Sequence, residues 1–227
     1  MQQLKETVPR TPEIDQRYSI VLLGIGLFLI AGALATGAGV RGDGKEFVAA
    51  YSFISGNLLF IGASSLATAI IRWLRLSIYL PVTAAVSILL VVGFPIGTFA
   101  FWYWLTKIRP HELKFESEAE RLSFRYTAGL YTAGLALCLS ALVFHFLAST
   151  SPPADQALWQ MFRLGFLVAA LLLLLVGVLR SSKLPLSYYA TLLLNVLLIL
   201  YFPVGTCFAL VWFLAVRKHD WLIYGRT

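Results

Sequence analysis

Apolar residues run through this chain in six long blocks, at about 20–40, 49–71, 76–105, 127–148, 158–179 and 184–216, with short polar stretches between them. A helix needs about 20 predominantly apolar residues to cross the roughly 30 Å hydrocarbon core of a bilayer, and every block reaches that length. A backbone amide left unbonded in lipid costs several kcal/mol, and the blocks lack the alternation of a barrel strand, so each is predicted to be helical. The expected fold class is an all-α integral membrane protein. Ala33-Leu34-Ala35 resembles a small-residue signal cleavage site, but the first block is long for a signal segment and is read as retained.

The polar and apolar positions repeat. VVGFPIGTFAFWYW at 91–104 has a near copy in ILYFPVGTCFALVW at 199–212, and sliding the chain by 108 residues aligns much more. Arg17-Tyr18 meets Arg125-Tyr126, Gly26-Leu27 meets Gly134-Leu135, Arg72 meets Arg180, Trp104 meets Trp212, Arg109 meets Arg217 and His111 meets His219. One shared offset over so long a stretch points to duplication. The chain therefore reads as a single membrane domain over 1–227, with repeat one at 17–112, a linker at 113–124 and repeat two at 125–220, each repeat holding three apolar segments. Helix starts fit this frame: Thr11-Pro12 reads as a cap followed by proline in the first turn, and Ser117 with Glu120 as a capping box.

The third segment of each repeat is broken at Phe-Pro-x-Gly-Thr, which leaves two topologies open. Proline removes a backbone donor and clashes with the preceding turn, glycine permits a reversal, and threonine can bond the freed backbone groups. The segments either span with a kink, giving six spans in inverted halves, or turn back as re-entrant hairpins, giving four spans plus two hairpins. Six spans divide the Lys and Arg residues nine against nine between the two faces, which specifies no orientation. Four spans leave only Arg41, Lys45 and Arg163 on one face against fifteen on the other, so the positive-inside rule favours the hairpins, with both termini cytoplasmic.

Composition sharpens the class. The chain is 59% hydrophobic and 13% charged, well below the roughly one quarter charged residues of a soluble domain. Its net charge of +7 gathers at segment ends rather than on a polar face, so the expected partners are the bilayer and its anionic headgroups, with no nucleic acid. Both cysteines, Cys138 and Cys207, fall inside apolar segments and read as small buried residues.

Arg72-Trp73-Leu74-Arg75, an apolar run, Phe94-Pro95-Ile96-Gly97-Thr98 and then Tyr103-Trp104 resemble a pattern found in small bacterial membrane proteins of unknown function. Those show an Arg/Trp-rich helix end, an apolar stretch, Pro-Leu-Gly-Thr, and then Gly, Tyr and Trp. This chain looks like two such units fused, with Phe101 and Ala209 where the pattern usually has glycine and Arg180-Ser181-Ser182, without Trp, at the second helix end. The resemblance implies a multi-pass protein of the bacterial inner membrane and carries no activity.

Candidate chemistry is sparse. The phosphate-cradling loop with its Lys, His-Glu-x-x-His, Cys-x-x-Cys and Gly-x-Ser-x-Gly are all missing, so no catalytic site and no cofactor are expected. No carboxylate lies deep in an apolar segment, which weighs against a proton-coupled transporter. Pro95, Gly97, Thr98, Pro203, Gly205 and Thr206 mark where a midplane site would lie, and Asn57, Asn195 and Arg163 are candidate polar helix contacts, with Asp155 as a partner for Arg163. Ala33 with Gly37 and Gly93 with Gly97 have the spacing that lets helices approach closely.

Arg109, His111, Arg217 and His219 form the most specific polar echo. They read as lipid-headgroup contacts beside an interfacial Trp104 and Trp212, against a less favoured metal site made with the neighbouring carboxylates. The functional expectation is a non-enzymatic accessory or scaffold protein that acts through helix contacts with other membrane subunits. The alternative is a channel or transporter with a site at the two broken helices.

Overall fold

The computed structural model describes residues 12–39, 45–91, 96–113, 115, 117–199 and 204–224, and among these it is helical with no strand. Four helices are long and apolar enough to cross a membrane, over Gln16–Thr36, Ala50–Trp73, Glu118–Thr150 and Pro153–Ser181. They belong to α1 (Pro12–Gly39), α2 (Lys45–Trp73), α6 (Glu118–Thr150) and α7 (Pro153–Ser181).

The blocks at 76–105 and 184–216 form shorter pieces. The first gives α3 (Tyr79–Leu90), α4 (Ile96–Tyr103), a π-helical segment at Trp104–Ile108 and α5 (Arg109–Glu112). The second gives α8 (Leu186–Ile199), α9 (Val204–Val211), a π-helical segment at Trp212–Val216 and α10 (Arg217–Tyr224). With 12 and 14 residues, α3 and α8 are only about 18 and 21 Å long at 1.5 Å per residue, short of the hydrocarbon core.

The helix ends follow local chemistry. Ser117, extended at the N-cap of α6, accepts the Glu120 N–H at 3.2 Å, which satisfies one of the four N–H groups that a helix start leaves over. α1 begins at Pro12, whose missing N–H costs nothing there, while Thr11 lies outside the described residues. At the other end, α2 and α7 both close through a residue in the left-handed region, Arg75 (φ 51°) and Lys183 (φ 53°), 108 positions apart. After α2, the Arg75 N–H reaches the Arg72 carbonyl and the Leu76 N–H reaches the Ile71 carbonyl. This pair of bonds stops the helix and starts α3 at once.

Packing builds each half around one close helix pair. α1 and α2 meet at Gly26 and Gly62, where a methyl on Gly26 would lie 2.9 Å from the Gly62 carbonyl and one on Gly62 3.0 Å from the Gly26 carbonyl. α6 and α7 approach at Gly134, backed by Leu174 and the Ala170 carbonyl. Small residues at a crossing let two backbones come within van der Waals reach, the main source of helix attraction in an apolar medium. The short helix α3 is wedged between α2 and α6 and is buried through Pro81–Ser87, whereas α8 packs on α7, α9 and α10 and keeps Leu193, Val196 and Ile199 exposed. α6 is the shared wall, contributing Tyr131 to the first core and Tyr126 and Leu130 to the second. Cys207, read from the sequence as buried, is exposed, and Cys138 is half-buried; α9 turns the Cys207 side outward while Ala209 faces in.

Candidate functional site

The densest polar cluster surrounds Arg180, in the last turn of α7 and 1% exposed. Its guanidinium meets Asp220 of α10 through two bonds, Nη1 to Oδ2 at 2.5 Å and Nη2 to Oδ1 at 2.9 Å. The remaining donors go to Thr127 at 3.0 Å, Thr191 at 3.3 Å and Ser123 at 2.8 Å. All five donors of the guanidinium are therefore used. Tyr126 and Tyr224 place rings 5.0 and 5.5 Å from its centre, and the Trp212 indole donates to Asp220 Oδ2 at 2.7 Å. A buried ion pair overcomes the desolvation of its two charges only with good geometry and bonds to the leftover groups, and this cluster supplies both.

A second cluster sits at the end of α2. Arg72, 5% exposed, bonds Glu112 of α5 at 2.5 Å and Thr83 of α3 at 3.2 Å, with the Tyr18 ring 5.1 Å away. Every participant lies 108 positions before its counterpart: Arg72 and Arg180, Thr83 and Thr191, Glu112 and Asp220, Tyr18 and Tyr126. The outer shell corresponds too, since Tyr18 meets Ser87 at 2.8 Å and Tyr126 donates to Asn195 at 2.8 Å. One difference stands out. Trp104, as buried as its counterpart Trp212, has an indole N–H with no acceptor among the described residues. Its carboxylate, Glu112, is one methylene longer than Asp220.

These pairs join the end of one helix to the far end of the segment that follows it. α3 leaves the end of α2, and α5 comes back to it, so that Arg72 touches both. Between them the chain packs α3 on α4. A methyl on Gly97 would collide with the Leu90 carbonyl, so only glycine lets α4 start beside the last turn of α3. In the second half Thr206 Oγ1 donates to the Ile199 carbonyl at 3.2 Å, tying α9 to the end of α8.

The sequence-derived residues distribute as follows. Gly97 and Gly205 are buried and Thr98 and Thr206 half-buried, while Pro95 and Pro203 lie outside the described residues. Asn195 links α8 to α6, but Asn57 donates to Phe53 of its own helix at 2.8 Å. Arg163 meets His145 of α6 at 2.9 Å rather than the expected Asp155, because α6 and α7 run side by side there. Arg109 is half-buried, Arg217 is exposed and bonds the Tyr188 hydroxyl at 3.5 Å, and His219 is half-buried; the His111 side chain is outside the described residues.

Trp104 and Trp212, read from the sequence as an interfacial belt, do not face outward. Both are in the core, 5% and 0% exposed, because each begins a π-helical segment whose inner side faces the cluster. The carboxylates offered to a metal, Glu112 and Asp220, are each held by the arginine of their own half. Sequence reasoning missed Arg72 and Arg180 as centres of the site. The available signal was numerical: in both halves a helix-end Arg has Thr 11 positions on and a carboxylate 40 positions on.

Two cavities open at this end of the molecule, a groove of about 650 Å³ beside Arg109 and a cleft of about 270 Å³ between the halves that reaches Glu112 and Arg180. Neither is lined by Gly97, Thr98, Gly205 or Thr206. No family model, no curated protein and no solved structure matches this chain.

Proposed function

We propose that the chain is an integral membrane protein made of two copies of one unit, each with two spanning helices and a re-entrant helical hairpin clamped at its base by a buried Arg-carboxylate pair. It serves as a non-enzymatic accessory or scaffold subunit. The supporting observation is the contact between Arg72 and Glu112. If residues 76–105 crossed the bilayer, those two side chains would sit on opposite faces, about 30 Å apart. The same holds for Arg180 and Asp220.

The opposite end of α7 supports the placement. Arg163 and Arg180 bracket sixteen apolar residues, 164–179, or about 24 Å of helix. On this reading the half-buried Arg163 and the exposed His145 lie at the outer interface and the clamps at the inner one, where Lys and Arg gather.

A scaffold role is favoured because the polar groups of the second clamp are occupied by one another. Arg180 spends every donor inside the protein, and Thr206 spends its hydroxyl on the backbone. A transport path through Thr98 and Thr206 would need polar groups facing a cavity there, and the two cavities open elsewhere. Meanwhile Phe99, Trp102, Leu210 and Leu214 are exposed on the hairpins and offer apolar contact to lipid or a neighbouring subunit.

Native electrophoresis of membranes solubilised in a mild detergent tests this reading. The chain is expected to migrate in a larger assembly than the same chain purified to homogeneity. Identical migration of the two, together with solute flux through proteoliposomes of the purified chain, would overturn the scaffold role in favour of transport.

A further inference from the structure

The clamp arginines are buried and engaged, yet two arginines at the same end of the molecule are not. Arg109, at the start of α5, and Arg125, in the third turn of α6, have no ion-paired or hydrogen-bonded side-chain partner among the described residues. Both line the groove of about 650 Å³, together with Arg121. The remaining walls include Leu105, Leu113 and Phe115, the last held in place by a ring contact with Phe124 at 5.3 Å. Among the described lining residues the carboxylate is Glu118, which bonds Arg121 at 3.2 Å. Among the same described residues, three cations against one anion leave two positive charges beside an apolar wall.

We propose that this groove holds the headgroup of an anionic phospholipid with two negative charges, of the phosphatidate class. Arg109 and Arg125 take its phosphate oxygens, and the first part of its acyl chains lies on Leu105, Leu113 and Phe115. A guanidinium presents a planar fork that matches phosphate oxygens two at a time. The groove lies in the volume range of small-molecule sites, about 300–1,000 Å³, far more than a free phosphate needs, and its apolar wall has no use for an inorganic ion.

The groove bridges the two halves rather than recurring in each: Leu105 and Arg109 close repeat one, Arg121 lies in the linker 113–124, Arg125 opens repeat two, and Arg217, the counterpart of Arg109, donates to Tyr188 instead. The inference rests on the reading that Glu118–Thr150 spans the bilayer, which sets the groove at headgroup depth.

Thermal unfolding of the purified full chain in a neutral detergent tests it, with dioleoyl phosphatidate, dioleoyl phosphatidylcholine or inorganic phosphate added. Phosphatidate is expected to raise the Tm of the native chain and of the control Lys218→Gln, while the other two leave it unchanged. The double variant Arg109→Gln with Arg125→Gln should lose at least half of that rise. An equal rise with phosphatidylcholine, or one retained in the double variant, would overturn the site; an equal rise with inorganic phosphate would overturn the lipid as its source. Should the double variant not fold, each single variant co-purified from nanodiscs of mixed phosphatidate and phosphatidylcholine should carry less phosphatidate than the native chain, and equal amounts would overturn the proposal. Release of the native chain from membranes by alkaline carbonate would instead sink the spanning reading, whatever the lipid result.

Discussion

Arg180 and Asp220 stand 40 residues apart in the chain and share two hydrogen bonds at 2.5 and 2.9 Å, and Arg72 and Glu112 meet at the same separation. The pairing closes a loop that contains a whole apolar segment. Its energetics differ from those of a surface ion pair, because neither partner has water to fall back on when the other is removed.

Replacing Arg180 with Met should therefore destabilise the protein by about 3–5 kcal/mol, the usual cost of stranding a buried charge. The double variant Arg180→Met with Asp220→Leu removes both charges and should recover much of that loss. Thermal unfolding of the detergent-solubilised variants reads the order directly. A double variant no more stable than Arg180→Met would contradict the assignment of the cost to an unpaired Asp220.

The two tryptophans should respond differently to the same change. Trp212→Phe deletes the donor that bonds Asp220 and should cost about 1–3 kcal/mol. Trp104→Phe deletes an indole N–H that has no acceptor among the described residues, so the loss should be smaller, with any cost coming from lost ring area. Unfolding measurements on the two single variants suffice, and equal losses would sink the asymmetry.

Gly97→Ala should be poorly tolerated, since its methyl collides with the backbone of Leu90 and the neighbour cannot move without shifting the end of α3. Gly24→Ala is the matching control. A methyl there meets nothing within 4 Å, and the change should stabilise α1 by up to about 1 kcal/mol through helix propensity. Comparable expression and Tm for the two variants would contradict the close approach of α4 to α3.

Much of the helical framework was legible in the apolar pattern. The blocks at 20–40, 49–71, 127–148 and 158–179 each correspond to one of the four long helices, because length and hydropathy are local properties. The other two blocks give shorter helices on either side of Phe-Pro-x-Gly-Thr, whose Phe94-Pro95 and Phe202-Pro203 lie outside the described residues. The clamps were not legible in the apolar pattern. Arg72 and Glu112 each look like ordinary interfacial charges within their own windows, and only the tertiary packing of α5 against the end of α2 brings the two together. A Trp a few residues before Lys or Arg matches an interfacial belt, and the inward turn of both rings at the π-helical segments was not legible from that spacing. Arg109 and Arg125 are 16 positions apart, and their shared groove depends on how α5 sits beside the start of α6.

Cysteine accessibility tests most directly the claim that the segment after α2 returns to the face it left. In a chain with Cys138 and Cys207 replaced by Ala, single cysteines are placed by Ser77→Cys between α2 and α3, Ser117→Cys before α6 and Thr150→Cys at the far end of α6. An impermeant maleimide applied to oriented membrane vesicles should label positions 77 and 117 from one face and position 150 from the other. Labelling of 77 and 150 from the same face, with 117 on the opposite one, would mean six spans and would contradict the clamped hairpins.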